Sequence, residues 1–341
     1  MILYDENRRF AFSDFGIEIP VRDSRSSRTF RYLADHPVLG PLRHRWHRRP
    51  GTETVSREDL LRVHTPEYVS RLFSDQLEEE LLSIYELVGV DGRYNRYRPE
   101  TAKFPLRGLF EQILERAGGT IACGRLALEN GFCFVFGGGM HHAHAGYGSG
   151  FCPVNDIVVA VRKLQAEQRI RSAWIIDIDA HKGDGTADLT QDDPSITTLS
   201  IHMASGWPLD GDPVKADGRP SDAFVPSDID IPIAAGEEER YLPELAKGLD
   251  QLASRSSTEL AVVVSGADPY VQDELPSTHP LQLTLSQMAA RDRLVYRFLQ
   301  DQRIPAAYLM AGGYGERSWE VYAQFLEWVL MERFQGSEKA P

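Results

Sequence analysis

Beyond about residue 106 the apolar positions of the chain fall into two alternating rhythms. Residues 107–129 (RGLFEQILERAGGTIACGRLALE) repeat apolar side chains at helical spacing, and 155–168, 239–253, 284–301 and 316–334 do the same. Between and before them lie short apolar runs: 132–136 (FCFVF), 173–178 (AWIIDI), 196–201, 260–265 (LAVVVS) and 306–310. Runs of this length, bounded by turn-forming residues, read as buried strands. Strands alternating with helices predict βαβ units, and so a mostly parallel sheet covered on both faces, a three-layer αβα sandwich of the α/β class. No internal repeat and no long low-complexity linker interrupts residues 1–341, which read as a single domain.

In such a sheet ligands bind beyond the carboxyl ends of the strands, so the segments that follow the apolar runs carry the chemistry. They read GGGMHHAHA, DIDAHKGDG, SIHM, SGADPY and AGGYG. Asp177, Asp179 and His181 alternate in an extended segment, where residues two apart share a face. Asp179 and His181 therefore reach one metal ion, and Asp268 in SGAD is the best third ligand from a distant strand end. Two carboxylates and an imidazole with one position left open suit a catalytic Zn²⁺. His141 and His142 are adjacent in a glycine-rich loop, and one of them can take a proton from water and return it to a leaving amine. Asp177 and Asp184 are placed to orient these rings. The Tyr314 hydroxyl can donate to the oxyanion of a tetrahedral intermediate. Any one of these groups alone would read as a helix cap or a packing aromatic; their meeting at one sheet edge points to catalysis.

Composition narrows the partners. The net charge of −13 argues against a broad nucleic-acid surface and favours cationic ligands. The one positive cluster, Arg43–Arg49 (RHRWHRR), reads as a solvated face. Cys123, Cys133 and Cys152 are odd in number and form neither a disulfide framework nor a CxxC knuckle, which fits a reducing cytoplasm. No apolar run reaches the roughly 18–20 residues of a membrane span, and the first residues (MILYDENRRFAF) lack a signal-peptide pattern. The expectation is a cytoplasmic enzyme with no membrane or direct nucleic-acid partner and an open oligomeric state.

Taken together, GGGMHHA, SGFCPVND, IIDIDAHKGDGT, SGAD and AGGYG resemble the successive motifs of the histone deacetylase superfamily, in order and spacing, from about Glu111 to Gln324. A weaker likeness reaches VHTPEYVSRL at 63–72 and His36-Pro37, and residues 1–60 carry little of it. The wording is most similar to the class IV and bacterial branch of that superfamily, which has an arginase-like fold and includes acetylpolyamine and acetoin-utilisation amidohydrolases. The resemblance implies Zn²⁺ on Asp179, His181 and Asp268, and His142 as general base and then general acid. It implies His141 as its electrostatic partner, Asp177 orienting His141, Asp184 orienting His142, and Tyr314 polarising the carbonyl. It places Gly150, Phe151, Trp207 and Gly313 along an acyl-lysine channel. It also implies a structural K⁺ on Asp177, Asp179, His181, Ser200 and the Ile201 carbonyl.

Three departures stand out. Lys182 follows the zinc histidine where many members carry His; strand alternation points it away from the metal, and burial would oblige it to find an acid or solvent. The segment 269–284 is longer than the usual form and lacks its glycine, although Asp273 matches a family acid. Trp207–Gly211 replaces an aromatic channel wall with a bulkier indole, which would tighten the entrance. The expected activity is zinc-dependent hydrolysis of an acyl-amide, most simply an acyl-lysine-type substrate, with acetylpolyamines or other small acyl-amines as the alternative. A two-Mn²⁺ arginase-fold hydrolase is disfavoured by the His-His pair and by GGY. A catalytically silent acyl-lysine-binding module is disfavoured by the intact ligands and tyrosine.

Overall fold

The computed structural model describes residues 1–8, 10–22 and 24–338. Its strands are β1 (Ile2–Leu3), β2 (His47–Arg48), β3 (Phe132–Val135), β4 (Ala173–Asp177), β5 (Ile196–Met203), β6 (Ile229–Ile233), β7 (Leu260–Ser265) and β8 (Ala306–Met310). They form one sheet in the order β2-β1-β3-β8-β7-β4-β5-β6, and every pairing is parallel. The helices are α1 (Ser24–Ala34), α2 (Arg43–Trp46), α3 (Arg57–Leu60), α4 (Pro66–Leu72), α5 (Leu77–Ile84), α6 (Gly108–Asn130), α7 (Asp156–Ala166), α8 (Asp184–Thr190), α9 (Tyr241–Arg255), α10 (Leu285–Asp301) and α11 (Ser318–Glu338).

Strand alternation builds the three layers. Trp174, Ile176, Val263, Tyr308 and Met310 point to the face covered by α1, α9, α10 and α11. Their sequence neighbours Ala173, Ile175, Val262, Val264 and Leu309 point to the opposite face, against α6 and α7. Both faces being buried, the central strands are apolar throughout, as the sequence pattern predicts. A separate cluster joins α3, α4 and α5 to the outer side of α6 through Leu60, Tyr68, Leu72 and Leu81. The Arg43–Arg49 cluster lies at the β1–β2 edge of the sheet, where Arg43 pairs with Glu6 and Arg49 with Asp5 and Glu6.

The topology fixes where a site can form. The chain passes from β4 through α8 to β5 on the α7 side of the sheet, and from β7 through α10 to β8 on the other side. β4 and β7 are neighbours, so the crossovers diverge between them and leave a crevice beyond their carboxyl ends. No described helix is long and apolar enough to cross a membrane.

The central strands and the long helices match the expected positions to within a few residues. The edges were not legible. β1 and β2 have two residues each, too few to show any alternation. β6 contains Pro232, a residue tolerated only where a ladder hydrogen bond is not needed, and β6 is an edge strand.

Candidate metal centre and acyl channel

The expected extended run Asp177-Asp179-His181 is not a strand: β4 ends at Asp177 and the next residues bend. Two successive side-chain turns make that bend. Asp177 Oδ1 accepts from the Asp179 amide at 3.1 Å, and Asp179 Oδ1 accepts from the His181 amide at 3.1 Å. Asp179 and His181 are thus brought together by carboxylates that hydrogen-bond two residues onward, and not by strand alternation. Asp268, three residues beyond β7, closes the group and is tied to it by the Ala180 amide at 3.1 Å.

The donor atoms of Asp179, His181 and Asp268 lie within 4.8 Å of one another and all three residues are buried, the only such metal-holding group among the described residues. His181 presents Nδ1 to both carboxylates, 3.3 Å from Asp179 and 3.2 Å from Asp268, and its Nε2 lies 3.1 Å from the Ser277 hydroxyl. An imidazole facing two buried carboxylates through one nitrogen either carries a proton there or coordinates a cation there. Burial works to lower its affinity for that proton, but the hydrogen bonds to Asp179 and Asp268 outweigh it and raise the imidazole to about 10. Burial and the Asp179 charge push Asp268 up to about 6. Two carboxylates and an Nδ1 donor form a set that fits a divalent ion of the zinc type.

The neighbouring strand ends complete the site. After β3 the chain turns through Gly137–Gly139, and the amides of Gly139 and Met140 donate to buried Asp156 at the start of α7, at 3.1 and 2.7 Å. A Cβ on Gly138 would stand 2.4 Å from Thr120 Oγ1 and 2.6 Å from Asp156 Oδ2, and its φ is +79°, so only glycine allows this turn to approach its anchor. The turn delivers His141 and His142 with their rings 3.9 Å apart. His141 Nδ1 lies 2.6 Å from Asp177 Oδ2, and His142 Nδ1 lies 2.6 Å from Asp184 Oδ1. The two rings diverge electrically. Burial lowers both, but the charges of Asp177 and Asp179 outweigh it at His141 and raise that ring to about 9. At His142 burial and the neighbouring His141 prevail over Asp184 and lower the ring to about 4.

Tyr314 follows β8. Its amide donates to Asp273 Oδ2 at 2.7 Å, so the family-like acid of the altered 269–284 segment still grips the tyrosine loop. Burial, then the charges of Asp268 and Asp179, hold the Tyr314 phenol protonated well beyond its ordinary range. His142, Gly150, Phe151, His181 and Tyr314 line two adjoining cavities. The outer one, about 170 Å³, opens past Trp207 and Leu275. The inner one, about 100 Å³, runs past Asp179 to Arg25. Trp207 faces inward, edge-on to His142 at 4.5 Å and to His181 at 5.6 Å between ring centres. Gly313 lines neither cavity; its carbonyl accepts from Arg25 at 3.0 Å, and Gly312 lines the inner wall in its place. Ser200 and Ile201 are buried on β5, with Ser200 in register opposite Asp177. Lys182 turns away and lies 3.5 Å from Asp230.

The histone deacetylase domain matches residues 19–329 of this chain. The chain belongs to the histone deacetylase family. It is similar to Histone deacetylase 2 of Arabidopsis thaliana, at 29% identity over 273 residues, 80% of this chain and 65% of that one. It is similar to the acetoin utilization protein AcuC of Bacillus subtilis, at 28% over 293 residues, 84% of this chain and 72% of that one. A probable deacetylase of Archaeoglobus fulgidus is 26% identical over 265 residues, 76% of this chain and 67% of its own. The match covers just under two thirds of the Arabidopsis protein. The family likeness begins at residue 19 and so includes most of the region where the motifs are weak.

In this member of the histone deacetylase family several residues that build the site carry no local signal in the sequence. Arg25 on α1 donates to the carbonyls of Ala311 at 2.7 Å and Gly313 at 3.0 Å, fixing the loop that precedes Tyr314. Arg291 on α10, fully buried, donates to the carbonyls of Ile178 at 2.9 Å and Gly266 at 2.8 Å, clamping the two loops that lead to Asp179 and Asp268. Ser277 holds the far nitrogen of His181. Asn155 and Asp156 stand in the SGFCPVND motif, whose pattern gives neither of them a role; Asn155 caps α7 and donates to the Ala143 carbonyl at 3.3 Å.

Proposed function

We propose that the protein hydrolyses an acyl-amide, with a zinc ion on Asp179, His181 and Asp268, and that an acyl-lysine-type side chain is its substrate. The observation that carries this reading is the convergence of that donor set, a neutral His142 and a protonated Tyr314 on one channel. A bound Zn²⁺ would supply Lewis-acid polarisation of the carbonyl and a water of lowered pKa. The one described group of metal donors supports a single ion over a two-metal centre.

His142, kept neutral by its surroundings, takes the proton from the attacking water. Its orienting carboxylate, Asp184, stays ionised and stabilises the ring as it becomes charged. His141, already a cation on Asp177, holds its charge beside the site and keeps His142 from being protonated in advance. The Tyr314 hydroxyl donates to the carbonyl oxygen as negative charge develops there. His142 then gives its proton to the departing amine, which returns the site to its starting state. Phe151 and Trp207 confine a narrow aliphatic stem, and Tyr85 stacks behind Phe151 at 6.1 Å.

The entrance favours lysine over a polyamine. Glu86 is the only acid among the described residues lining the outer cavity, and it lies 4.0 Å from Arg96, so no unpaired carboxylate waits there for a second ammonium group. We further assign a structural K⁺ to Asp177, Ser200 and the Ile201 carbonyl, and a cytoplasmic setting. The test is turnover of acetyl-lysine peptides, acetylpolyamines and long-chain acyl-lysines, with and without a chelator. Turnover of an acyl-lysine peptide that chelation abolishes and zinc restores is expected. Full activity in metal-stripped protein would end this reading, and a preference for acetylpolyamines would end its substrate half.

A further inference from the structure

Behind His142 the hydrogen bonds do not stop at Asp184. Asp184 turns Oδ1 to His142 Nδ1 at 2.6 Å and Oδ2 to Nε2 of a third histidine, His144, at 3.3 Å. The Nδ1 of His144 lies 3.0 Å from Asp188 Oδ2. Asp184 and Asp188 are four residues apart on α8, one turn above the other on the same face, and the His144 ring bridges them. Asp184 and His144 are 3% exposed at the side chain, whereas Asp188 is 20% exposed and reaches solvent.

The ring is fixed from every side. His144 donates its amide to the Tyr147 carbonyl at 2.9 Å, and the Tyr147 ring stacks on it at 4.6 Å and 20°. Tyr147 in turn donates to Asp222 Oδ2 at 3.1 Å, and Asp222 pairs with Lys215. The His144 carbonyl accepts from Nδ1 of His64 at 2.9 Å. The charged and titratable groups facing His144 are therefore Asp184 and Asp188 on α8, with Asp222, Lys215 and Tyr147 on one side and His64 and His142 on the other.

We propose that His144 is a positioning residue for the reaction, an imidazolium held between Asp184 and Asp188 that locks the Asp184 carboxylate onto His142. The inference rests on the acyl-amide reading of the site. Its chemistry is that of a carboxylate with two partners. When His142 takes up a proton, Asp184 must remain an anion beside it and must not rotate or accept that proton itself. A cation on its second oxygen serves both needs: it occupies the lone pairs through which Asp184 would rotate away, and it lowers the basicity of the carboxylate. Burial alone would raise Asp184, but His142 and His144 outweigh it and hold it well below the ordinary carboxylate range. Burial likewise opposes the charge on His144, and the hydrogen bonds to Asp184 and Asp188 overcome it, raising the ring to about 9.

The test compares zinc-loaded wild type with His144→Phe, His144→Gln and Asp188→Asn in kcat, KM, metal content and thermal midpoint. His144→Phe is expected to lower kcat by about 10-fold or more, the range seen when an outer orienting partner is lost, with KM and metal content unchanged. His144→Gln keeps a donor toward Asp184 and is expected to recover part of that loss. Asp188→Asn, which touches neither substrate nor metal, is expected to lower kcat by less. A purely structural role would lower the thermal midpoint and leave kcat per folded, metal-loaded chain unchanged, and that result overturns the proposal. Should His144→Phe not fold, wild-type kcat in both other variants overturns it equally. Should the wild type turn over no acyl-amide, the functional reading fails, and the held imidazolium is judged by NMR titration of His144. A ring that stays protonated well past neutral pH, and loses its proton earlier in Asp188→Asn, sustains the held imidazolium; titration like free histidine removes it.

Discussion

The Ser277 hydroxyl lies 3.1 Å from Nε2 of His181, on the far side of the ring from the carboxylates that Nδ1 faces. With a metal at Nδ1, the Nε2 proton has one place to go, and Ser277 accepts it. That bond fixes both the tautomer and the plane of the ring. Ser277→Ala should therefore weaken metal binding by about 10–100-fold while leaving kcat at saturating metal close to wild type. Competition against a chelator of known affinity measures the first and zinc-supplemented kinetics the second. Unchanged metal affinity would show that the ring is held by its carboxylates alone.

Asp268 would bear on a bound metal in a different way, as the third member of the donor group with Asp179 and His181. Asp268→Ala leaves two protein ligands, fewer than the three that catalytic zinc sites use. It is expected to lose both bound metal, read by elemental analysis per chain, and turnover. Retained metal at full stoichiometry would reassign the ligand set.

His142→Ala and Tyr314→Phe should separate chemistry from metal binding. Neither residue belongs to the donor group, so both variants are expected to keep fold and metal content. Turnover should fall by about 10²–10⁴ for the acid–base histidine and about 10²–10³ for the oxyanion donor. Wild-type turnover in Tyr314→Phe would remove the tyrosine from the mechanism.

Arg291 is fully buried and pairs with buried Asp292, Nη2 to Oδ1 at 2.7 Å, while Nη1 donates to the carbonyls of Ile178 and Gly266. Arg291→Met leaves a buried carboxylate without its cation and two carbonyls without a donor. The cost should be about 3–5 kcal/mol, as for other broken buried pairs, read as a lowered urea midpoint. Arg291→Met with Asp292→Leu should recover much of that loss, because the uncompensated charge is gone. Equal destabilisation in the single and double variants would place the cost on the two carbonyls.

These contacts explain which parts of the site were legible in the sequence. His141, His142, Asp179, His181, Asp268 and Tyr314 each follow an apolar strand within a few residues, so strand pattern and chemistry could be read together. Strand alternation predicts that Asp179 and His181 share a face, but the strand ends at Asp177, and successive side-chain turns bring the two residues together instead. Arg25, Ser277 and Arg291 act across the fold on carbonyls or rings far away in sequence, and nothing in their local pattern announces this. Gly312 shows the same limit. Its amide donates to Asp179 Oδ2 at 2.9 Å, and a Cβ there would stand 2.4 Å from that oxygen and 2.5 Å from Asp268 Oδ2. The AGGYG motif marks a turn, but not that its glycine touches two carboxylates of the candidate donor group.

His64 carries the pH dependence most open to test. Its Nε2 accepts from the Asn155 amide at 3.1 Å and its Nδ1 donates to the His144 carbonyl, so the ring is neutral and fully committed. Burial pushes it from 6.5 down to about 4. The unfolded chain binds this proton below pH 6.5 and the folded chain does not until about 4. The contribution is therefore complete above 6.5 and is lost as pH falls toward 4, with a span of about 3 kcal/mol by linkage. His144 works in the opposite sense, since a ring raised to about 9 contributes fully below 6.5 and loses that contribution as pH rises through 9. The two must be separated by difference. His64→Gln should be less stable than wild type near neutral pH, and the gap should close by about 3 kcal/mol between roughly pH 7 and pH 4. Denaturant midpoints of both proteins across that range supply the measurement. A gap that stays constant with pH would mean that His64 is protonated alike in folded and unfolded chains, and that its two hydrogen bonds are not those of a neutral ring.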